Sequence, residues 1–195
     1  MPQRFLVVGV TAVAALLLYI DRVCFSTIAD PVQTDLGLSD QQKEFALGAF
    51  FYTYALFQVP VGALADRYGP RVVLAASIAL WSAVTALTGL AWSYGALLGA
   101  RLLLGLSESG AYPAAAGLVK RWARPDERGL FSAVVSFGGR AGMALAPALT
   151  TGLAGALAGV AVAGIAAGPS GVNWRGVLVL YGLCGMAVAA VFWTL

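Results

Sequence analysis

The sequence predicts an all-α integral membrane protein in which six helices cross the lipid bilayer. Of its 195 residues, 60% are hydrophobic and only 11% are charged, whereas a soluble domain carries about 25% charged residues. Six apolar segments reach the length of about 20 residues that a helix needs to span the bilayer. They cover residues 5–29, 45–65, 72–92, 95–119, 129–151 and 176–195.

The first apolar segment shares one feature with a secretory signal peptide, because Arg4 precedes the apolar run. However, Asp21 and Arg22 stand where a cleavage site of small residues would form, and Cys24 lacks the surroundings of a lipidation site. We therefore interpret this segment as the first membrane span.

Two connections between spans have distinctive sequences. Pro31 is expected to end the first span, and a polar connection then leads to a helix cap at Ser39 or Asp40. Residues 152–173 are rich in Gly and Ala and apolar enough for a seventh span, but a seventh span would place the exit of residues 176–195 on the wrong side. We predict that they extend the fifth helix and then form an outside loop.

The distribution of basic residues predicts that both termini are cytoplasmic, because Lys and Arg are enriched in the cytoplasmic loops of membrane proteins. We expect a multi-pass protein of the cell membrane, which in bacteria is the inner membrane. With the N-terminus inside, Lys43 and Arg175 lie outside. The basic residues that then lie inside are Arg4, Arg67, Arg71, Lys120, Arg121, Arg124 and Arg128.

Charged residues within the apolar segments indicate a polar site inside the helix bundle. They are Asp21, Arg22, Arg101, Glu108 and Arg140. If all of them stayed unpaired, their insertion would cost about 12–18 kcal/mol in total. Arg101 and Glu108 lie seven residues apart, which is two helical turns, so they share one helix face. Glu108 lies near the middle of its span and is expected to face the bundle interior.

The depths of these charges predict an ion pair. Asp21 lies about 6 Å, and Arg101 about 8 Å, from the middle of the membrane toward the same side. We therefore expect Asp21 and Arg101 to pair. Arg22 lies about 100° further round its helix, and its expected partner is Glu108 or a substrate anion. The first and fourth spans are also equivalent positions in an inverted repeat of three helices, where transporters build their central sites.

The connection between the second and third spans reads "GALADRYGPR". It has a plain interpretation, in which Asp66 caps a helix and the arginines follow the positive-inside rule. Its spacing also matches the signature loop of the major facilitator superfamily. The matching residues are Gly62, Asp66, Arg67, Gly69 and Arg71.

Four further stretches, "YIDRVCFSTIA", "RLLLGLSESGAYPAA", "KRWARPDERG" and "NWRG", extend this resemblance over nearly the whole chain. Together with "FYTYALFQVPVGALADRYGPR", they resemble the anion:cation symporter family of that superfamily, which includes sugar-acid transporters, sialin and vesicular glutamate transporters. The resemblance implies the N-terminal half of a major facilitator fold, built from two inverted three-helix repeats. It also implies symport of an organic anion, a carboxylate or sugar acid, with a proton or sodium, and no bound cofactor or metal.

The resemblance also implies roles for individual residues. Arg22 resembles the family's substrate-contacting arginine, and Tyr54 resembles its substrate-side tyrosine. Asp21 and Glu108 resemble its protonatable carboxylates. Arg101 resembles the arginine that pairs within the charge network of the fourth span.

The chain departs from the family in two respects. Gly139 and Arg140 stand where the sugar-acid transporters present an amide to substrate hydroxyls, which argues against a sugar acid. Arg140 either supplies a second cationic contact, favouring a dicarboxylate or another doubly charged anion, or pairs with a carboxylate or snorkels to the surface. The superfamily also has twelve spans, so residues 1–195 correspond to the N-terminal six-helix domain. The C-terminal half, or a second copy of the chain, would complete the transporter.

Other functional classes are less well supported. The chain has no His, and Cys24 and Cys184 lie far apart, so we expect neither an enzyme nor a metal site. No Walker motif is present, and the basic stretch "KRWARPDERG" is too short and too mixed in charge for nucleic acid. Two alternatives are a carrier of another anion, such as an organophosphate, and a non-transporting sensor or oligomerising membrane protein. The ridge formed by Gly138, Gly142 and Ala146 would serve either reading, because small residues permit close helix packing.

Overall fold

A computed structural model of the chain describes residues 3–162 and 164–194. The end of the sixth predicted span at Leu195, and residue 163 of the predicted outside loop, lie outside these residues. The described residues form eight helices, namely α1 (Gln3–Thr27), α2 (Ala29–Leu36), α3 (Asp40–Tyr68), α4 (Pro70–Thr88), α5 (Tyr94–Glu108), α6 (Ala111–Trp122), α7 (Arg128–Ala156) and α8 (Trp174–Thr194).

The helices confirm the prediction of a multi-pass membrane protein. Five of the described helices, α1, α3, α4, α7 and α8, are long and apolar enough to cross a bilayer. The predicted fourth span, residues 95–119, is divided into two helices. Helix α5 ends before Ser109, and α6 begins after Gly110. Together, α5 and α6 extend over residues 94–122 and include the whole of the predicted fourth span.

The packing of the helices follows a repeated pattern. Helix α1 packs mainly against α7, α5 packs mainly against α3, and α4 packs mainly against α8. Exchanging α1 with α5–α6, α3 with α7, and α4 with α8 leaves these pairings unchanged. This is the pattern expected of two inverted repeats of three helices.

The closest contact between α1 and α7 depends on small residues. A Cβ atom added to Gly138 would overlap the backbone carbonyl of Ala12, and one added to Gly142 would overlap that of Leu16. Ala146, at the end of the same ridge, is fully buried. The ridge predicted from the sequence is therefore a packing surface within the chain.

The connection between α1 and α3 differs from the prediction. The segment after the first span is not merely polar, because it folds into the short helix α2, which ends at Gly37 in the left-handed region with φ 61°. Pro31 does not prevent this helix, because it lies in the first turn, where its missing N–H is not needed. The predicted cap at Ser39 is confirmed, since its hydroxyl accepts a hydrogen bond from the Gln42 backbone N–H at 3.2 Å.

The connection between α7 and α8 is held by α2. Helix α7 continues to Ala156, and the described residues between 157 and 173 contain no helix. The Asp35 carboxylate accepts hydrogen bonds from the backbone N–H of Ser170 at 2.6 Å and the indole N–H of Trp174 at 2.8 Å. Asp35 thus ties the beginning of α8 to the short helix α2.

The signature loop is a tight joint between α3 and α4. Gly69 alone separates the two helices, and its φ of 95° favours glycine. Asp66 and Arg67 lie in the last turn of α3 and are exposed, so the plain interpretation of Asp66 as a helix cap is wrong. Arg71 donates a hydrogen bond to the carbonyl of Trp193 at 2.9 Å and links α4 to the end of α8.

The contact between α1 and α7 makes a testable prediction. Gly142→Ala should lower the free energy of unfolding by about 1–3 kcal/mol, because its new methyl group overlaps the Leu16 carbonyl. Gly152→Ala, on the same helix with no atom within 4 Å of the added Cβ, is the control. Thermal unfolding of the purified protein in detergent would measure both. Equal stability of the two variants would show that α1 and α7 do not pack in this way.

Candidate functional site

A buried ion pair joins α1 to the end of α5. The Nε and Nη2 atoms of Arg22 both donate to Oε2 of Glu108, at 3.2 and 2.8 Å. The Glu108 side chain is fully buried, and that of Arg22 is 14% exposed. Removing such charges from water is costly unless each is paired. The expected interior position of Glu108 is confirmed. Of the two expected partners of Arg22, Glu108 is the one that Arg22 contacts in this structure.

Three aromatic rings surround the guanidinium of Arg22. Its Cζ atom lies 5.2 Å from the ring centre of Tyr19, 4.8 Å from that of Phe50 and 4.6 Å from that of Tyr54. The face of an aromatic ring attracts a cation at these distances. We call Arg22, Glu108 and these three aromatic residues the Arg22 site.

Close packing of α5 on α3 brings the parts of the Arg22 site together. A Cβ atom on Gly105 would overlap the backbone carbonyl of Phe50, so only glycine permits this approach. The Thr53 hydroxyl fixes the register of the two helices by donating to the Leu102 carbonyl at 2.8 Å. Glu108, one turn beyond Gly105, is thereby placed beside the aromatic residues of α3.

The two carboxyl oxygens of Glu108 have different surroundings. Oε2 accepts both hydrogen bonds from Arg22, whereas Oε1 is buried and has no hydrogen-bond partner among the described residues. A buried polar atom without a partner costs free energy. Oε1 is therefore a position where a proton or a water molecule would be stabilised.

The predicted ion pair between Asp21 and Arg101 is wrong for this structure. Both side chains are buried, but the ion pairs among the described residues do not include one between them. The guanidinium of Arg101 instead lies 4.2 Å from the ring centre of Phe25, and its Nε donates to the Ala46 carbonyl of α3 at 3.4 Å. Depth placed the two charges at one level, but the Arg101 side chain packs between Phe25 of α1 and the backbone of α3 rather than against the Asp21 carboxylate.

Arg140 lies outside the Arg22 site. Its side chain is exposed on α7 and forms no ion pair with a described residue. The preceding residue, Gly139, does face the site, because a Cβ atom there would lie 2.9 Å from the ring of Tyr19 and 2.8 Å from the Tyr112 hydroxyl. Helix α7 therefore borders the Arg22 site with backbone rather than with a side chain.

Sequence reasoning found Tyr54 but missed Tyr19 and Phe50. Tyr19 precedes Arg22 by three residues, and Phe50 precedes Tyr54 by four. Both spacings place the side chains on one helix face. That spacing was the available signal, but aromatic residues are so common in membrane spans that it carried little information by itself.

The family model described as Major Facilitator Superfamily matches residues 11–195. The chain belongs to the major facilitator superfamily. This member of the superfamily is 35% identical over 144 residues to a probable sulfoacetate transporter of Cupriavidus necator, covering 74% of the chain and 34% of the relative. It is also 35% identical over 136 residues to a probable galactarate/D-glucarate transporter of Bacillus subtilis, covering 67% of the chain and 30% of the relative.

A solved structure confirms the superfamily fold. A bacterial homolog of the human lysosomal transporter Spinster, in an inward-facing and occupied conformation, superimposes with a TM-score of 0.90 at 26% identity. The match covers 100% of this chain and 44% of that one, and the chain spans about a third of the length of the curated relatives above. The expected superfamily and the expectation that the chain is not an enzyme are both confirmed.

The buried ion pair makes a prediction about stability. Arg22→Met should lower the free energy of unfolding by about 3–5 kcal/mol, because it leaves the carboxylate of Glu108 buried without a partner. Adding Glu108→Leu to that variant should restore most of the loss, since two apolar side chains need no partner. Thermal unfolding in detergent compares the single and double variants. A double variant less stable than the single one would contradict the pairing.

Proposed function

We propose that the chain forms the N-terminal half of a secondary active transporter that moves an organic anion together with a proton. The observation that carries this proposal is the ion pair between Arg22 and Glu108. A guanidinium binds a carboxylate through parallel hydrogen bonds. An anion that reaches Arg22 must therefore compete with the carboxylate that Arg22 already holds.

Protonation of Glu108 removes this competition. A neutral Glu108 no longer holds Arg22 by charge, and its unpartnered Oε1 atom is a place for the proton. Proton binding then favours anion binding, and linkage requires that anion binding favours proton binding to the same extent. A carrier that exposes its site to the other side of the membrane only with both ligands bound, or with neither, is a symporter.

The substrate that we propose is a compact anion with two acidic groups. Sulfoacetate, galactarate and D-glucarate, which the names of the relatives specify, each carry two acidic groups. Arg22 and Tyr54 would contact the first group, and Arg140 on the neighbouring helix α7 would supply a second positive charge. The backbone of Gly139 offers no side chain to bind substrate hydroxyls, which favours an anion without hydroxyl groups, such as sulfoacetate, over the sugar acids galactarate and D-glucarate.

The remaining predicted residues complete the proposal. Asp21 is a second protonatable carboxylate, and Arg101 keeps a fixed positive charge within the charge network. We propose that the site is closed by a second six-helix half, and that both termini of the present half are cytoplasmic, in a bacterial inner membrane. The signature loop then lies on the cytoplasmic side, as the positive-inside rule requires.

Glu108→Gln tests the coupling, because glutamine resembles the protonated acid but cannot titrate. In the full-length transporter, reconstituted in proteoliposomes, the variant should still exchange labelled sulfoacetate or D-glucarate in counterflow. The accumulation that a pH difference drives should fall at least about tenfold. This factor corresponds to about 1.4 kcal/mol of lost coupling free energy.

Two further variants serve as controls. Glu127→Gln makes the same change at a carboxylate that pairs with Arg4 at 3.2 Å, away from the Arg22 site, and should behave as the wild type. Arg22→Lys should lose counterflow as well as accumulation, since lysine cannot form the bidentate contact. If Glu108→Gln accumulates the anion as well as the wild type does, or if a sodium difference replaces the pH difference, proton coupling through Glu108 is wrong.

A further inference from the structure

Asp21 is a buried carboxylate that forms no ion pair with any described residue. It is 4% exposed, and it pairs neither with the adjacent Arg22, which binds Glu108, nor with Arg101, which lies between Phe25 and the Ala46 carbonyl. A buried charge is tolerated only where other groups compensate it.

Helix α4 supplies a buried hydrogen-bond donor close to α1, the indole N–H of Trp81. Trp81 is fully buried, and its indole N–H has no hydrogen-bond partner within the described part of the chain. Trp81 and Leu18 line the same small cavity between α1 and α4, and Asp21 follows Leu18 by three residues on the same helix face. Asp21 is therefore a buried carboxyl group within one helical turn of the cavity that the Trp81 indole lines.

We propose that Trp81 is the positioning residue of Asp21. Its N–H donates a hydrogen bond to the Asp21 carboxylate, and this bond weakens when Asp21 is protonated, because a neutral carboxyl group is a weaker acceptor than a carboxylate. The role of this bond in transport rests on the proposed symport, but the bond itself does not.

The other groups around Asp21 do not replace Trp81 as its donor. Glu108 on α5 carries the same charge as Asp21, and Cys24 is on α1 itself, where its thiol donates to the Asp21 backbone carbonyl rather than to the carboxylate. The Tyr181 hydroxyl on α8 is engaged in a hydrogen bond with Thr150 at 3.2 Å. Arg101 lies against the ring of Phe25, which follows Asp21 by four residues on α1.

In this arrangement, two adjacent side chains of α1 interact with two different helices. Arg22 acts on α5 through Glu108, whereas Asp21 acts on α4, which packs mainly against α8. A change in the protonation of Asp21 would therefore change the interaction of α1 with the packed helices α4 and α8. These two helices contribute no side chain to the Arg22 site. Trp81 is the physical link in that connection.

The bond can be tested without any transported substrate. Full-length protein labelled with ¹⁵N in its tryptophan indoles gives one N–H peak for each indole, and the peak that is lost in Trp81→Phe is that of Trp81. We expect this peak to move during a pH titration of the wild type and to stop moving in Asp21→Asn. The proposal would be overturned if the Trp81 peak did not move with pH in the wild type, or if it still moved with pH in Asp21→Asn.

The chain contains its own reference for this measurement. The Trp174 indole donates to Asp35 at 2.8 Å, so its peak should respond to Asp35→Asn and not to Asp21→Asn. If Trp81→Phe does not fold, the two aspartate variants still identify the peaks, because each should alter a different one. A single peak that responds to both aspartate variants, or no peak that responds to Asp21→Asn, would also overturn the proposal.

The transport role has a separate test in proteoliposomes. Trp81→Phe should lower pH-driven accumulation of the probe anion about tenfold, the size expected when a charged group loses one hydrogen bond, and should keep counterflow. Trp92→Phe, at an exposed tryptophan, should change neither. Wild-type accumulation in Trp81→Phe would overturn the positioning role. Because the spectroscopic experiment needs no transport, it remains decisive even if the proposed symport is wrong.

Discussion

The buried ion pair between Arg22 and Glu108 is the interaction on which the arrangement of the bundle depends. An ionised carboxylate and a guanidinium are tolerated in an apolar interior when they are paired, so the pair holds α1 and α5 at hydrogen-bonding distance in this structure. Gly105 permits this by letting α5 lie directly on the backbone of α3, and Gly138 and Gly142 hold α7 against α1. The small residues are therefore as necessary to the site as the charged ones.

The adjacent residues Asp21 and Arg22 explain why one helix can combine two ligands. Consecutive residues of a helix point about 100° apart, so α1 presents a negative charge toward α4 and a positive charge toward α5. In our interpretation, the anion acts on the positive charge and the proton acts on carboxylates at both places. Because both charges belong to one rigid helix, a displacement of α1 changes both places together.

The sequence predicted heights in the membrane better than it predicted rotations about helix axes. Hydropathy located the five described helices that are long enough to cross a bilayer, and the central position of Glu108 in its predicted span predicted its burial correctly. The ion pair of Asp21 with Arg101 failed because equal depth does not determine which way a side chain points. The rotation of α5 is set by the contact of Gly105 with α3, a contact between distant residues that no local pattern reveals. The break between α5 and α6 escaped prediction because the apolar run continues across it.

The central claim is that an anion and the Glu108 carboxylate compete for Arg22. The most direct test is the number of protons taken up per anion bound by the full-length protein in weakly buffered detergent solution, with sulfoacetate and D-glucarate as probes. The account predicts that anion binding makes the medium more alkaline, with about one proton taken up per anion where Glu108 starts ionised. In Glu108→Gln, this proton uptake should disappear while anion binding persists. Anion binding without proton uptake by the wild type, or the same uptake by Glu108→Gln, would contradict it.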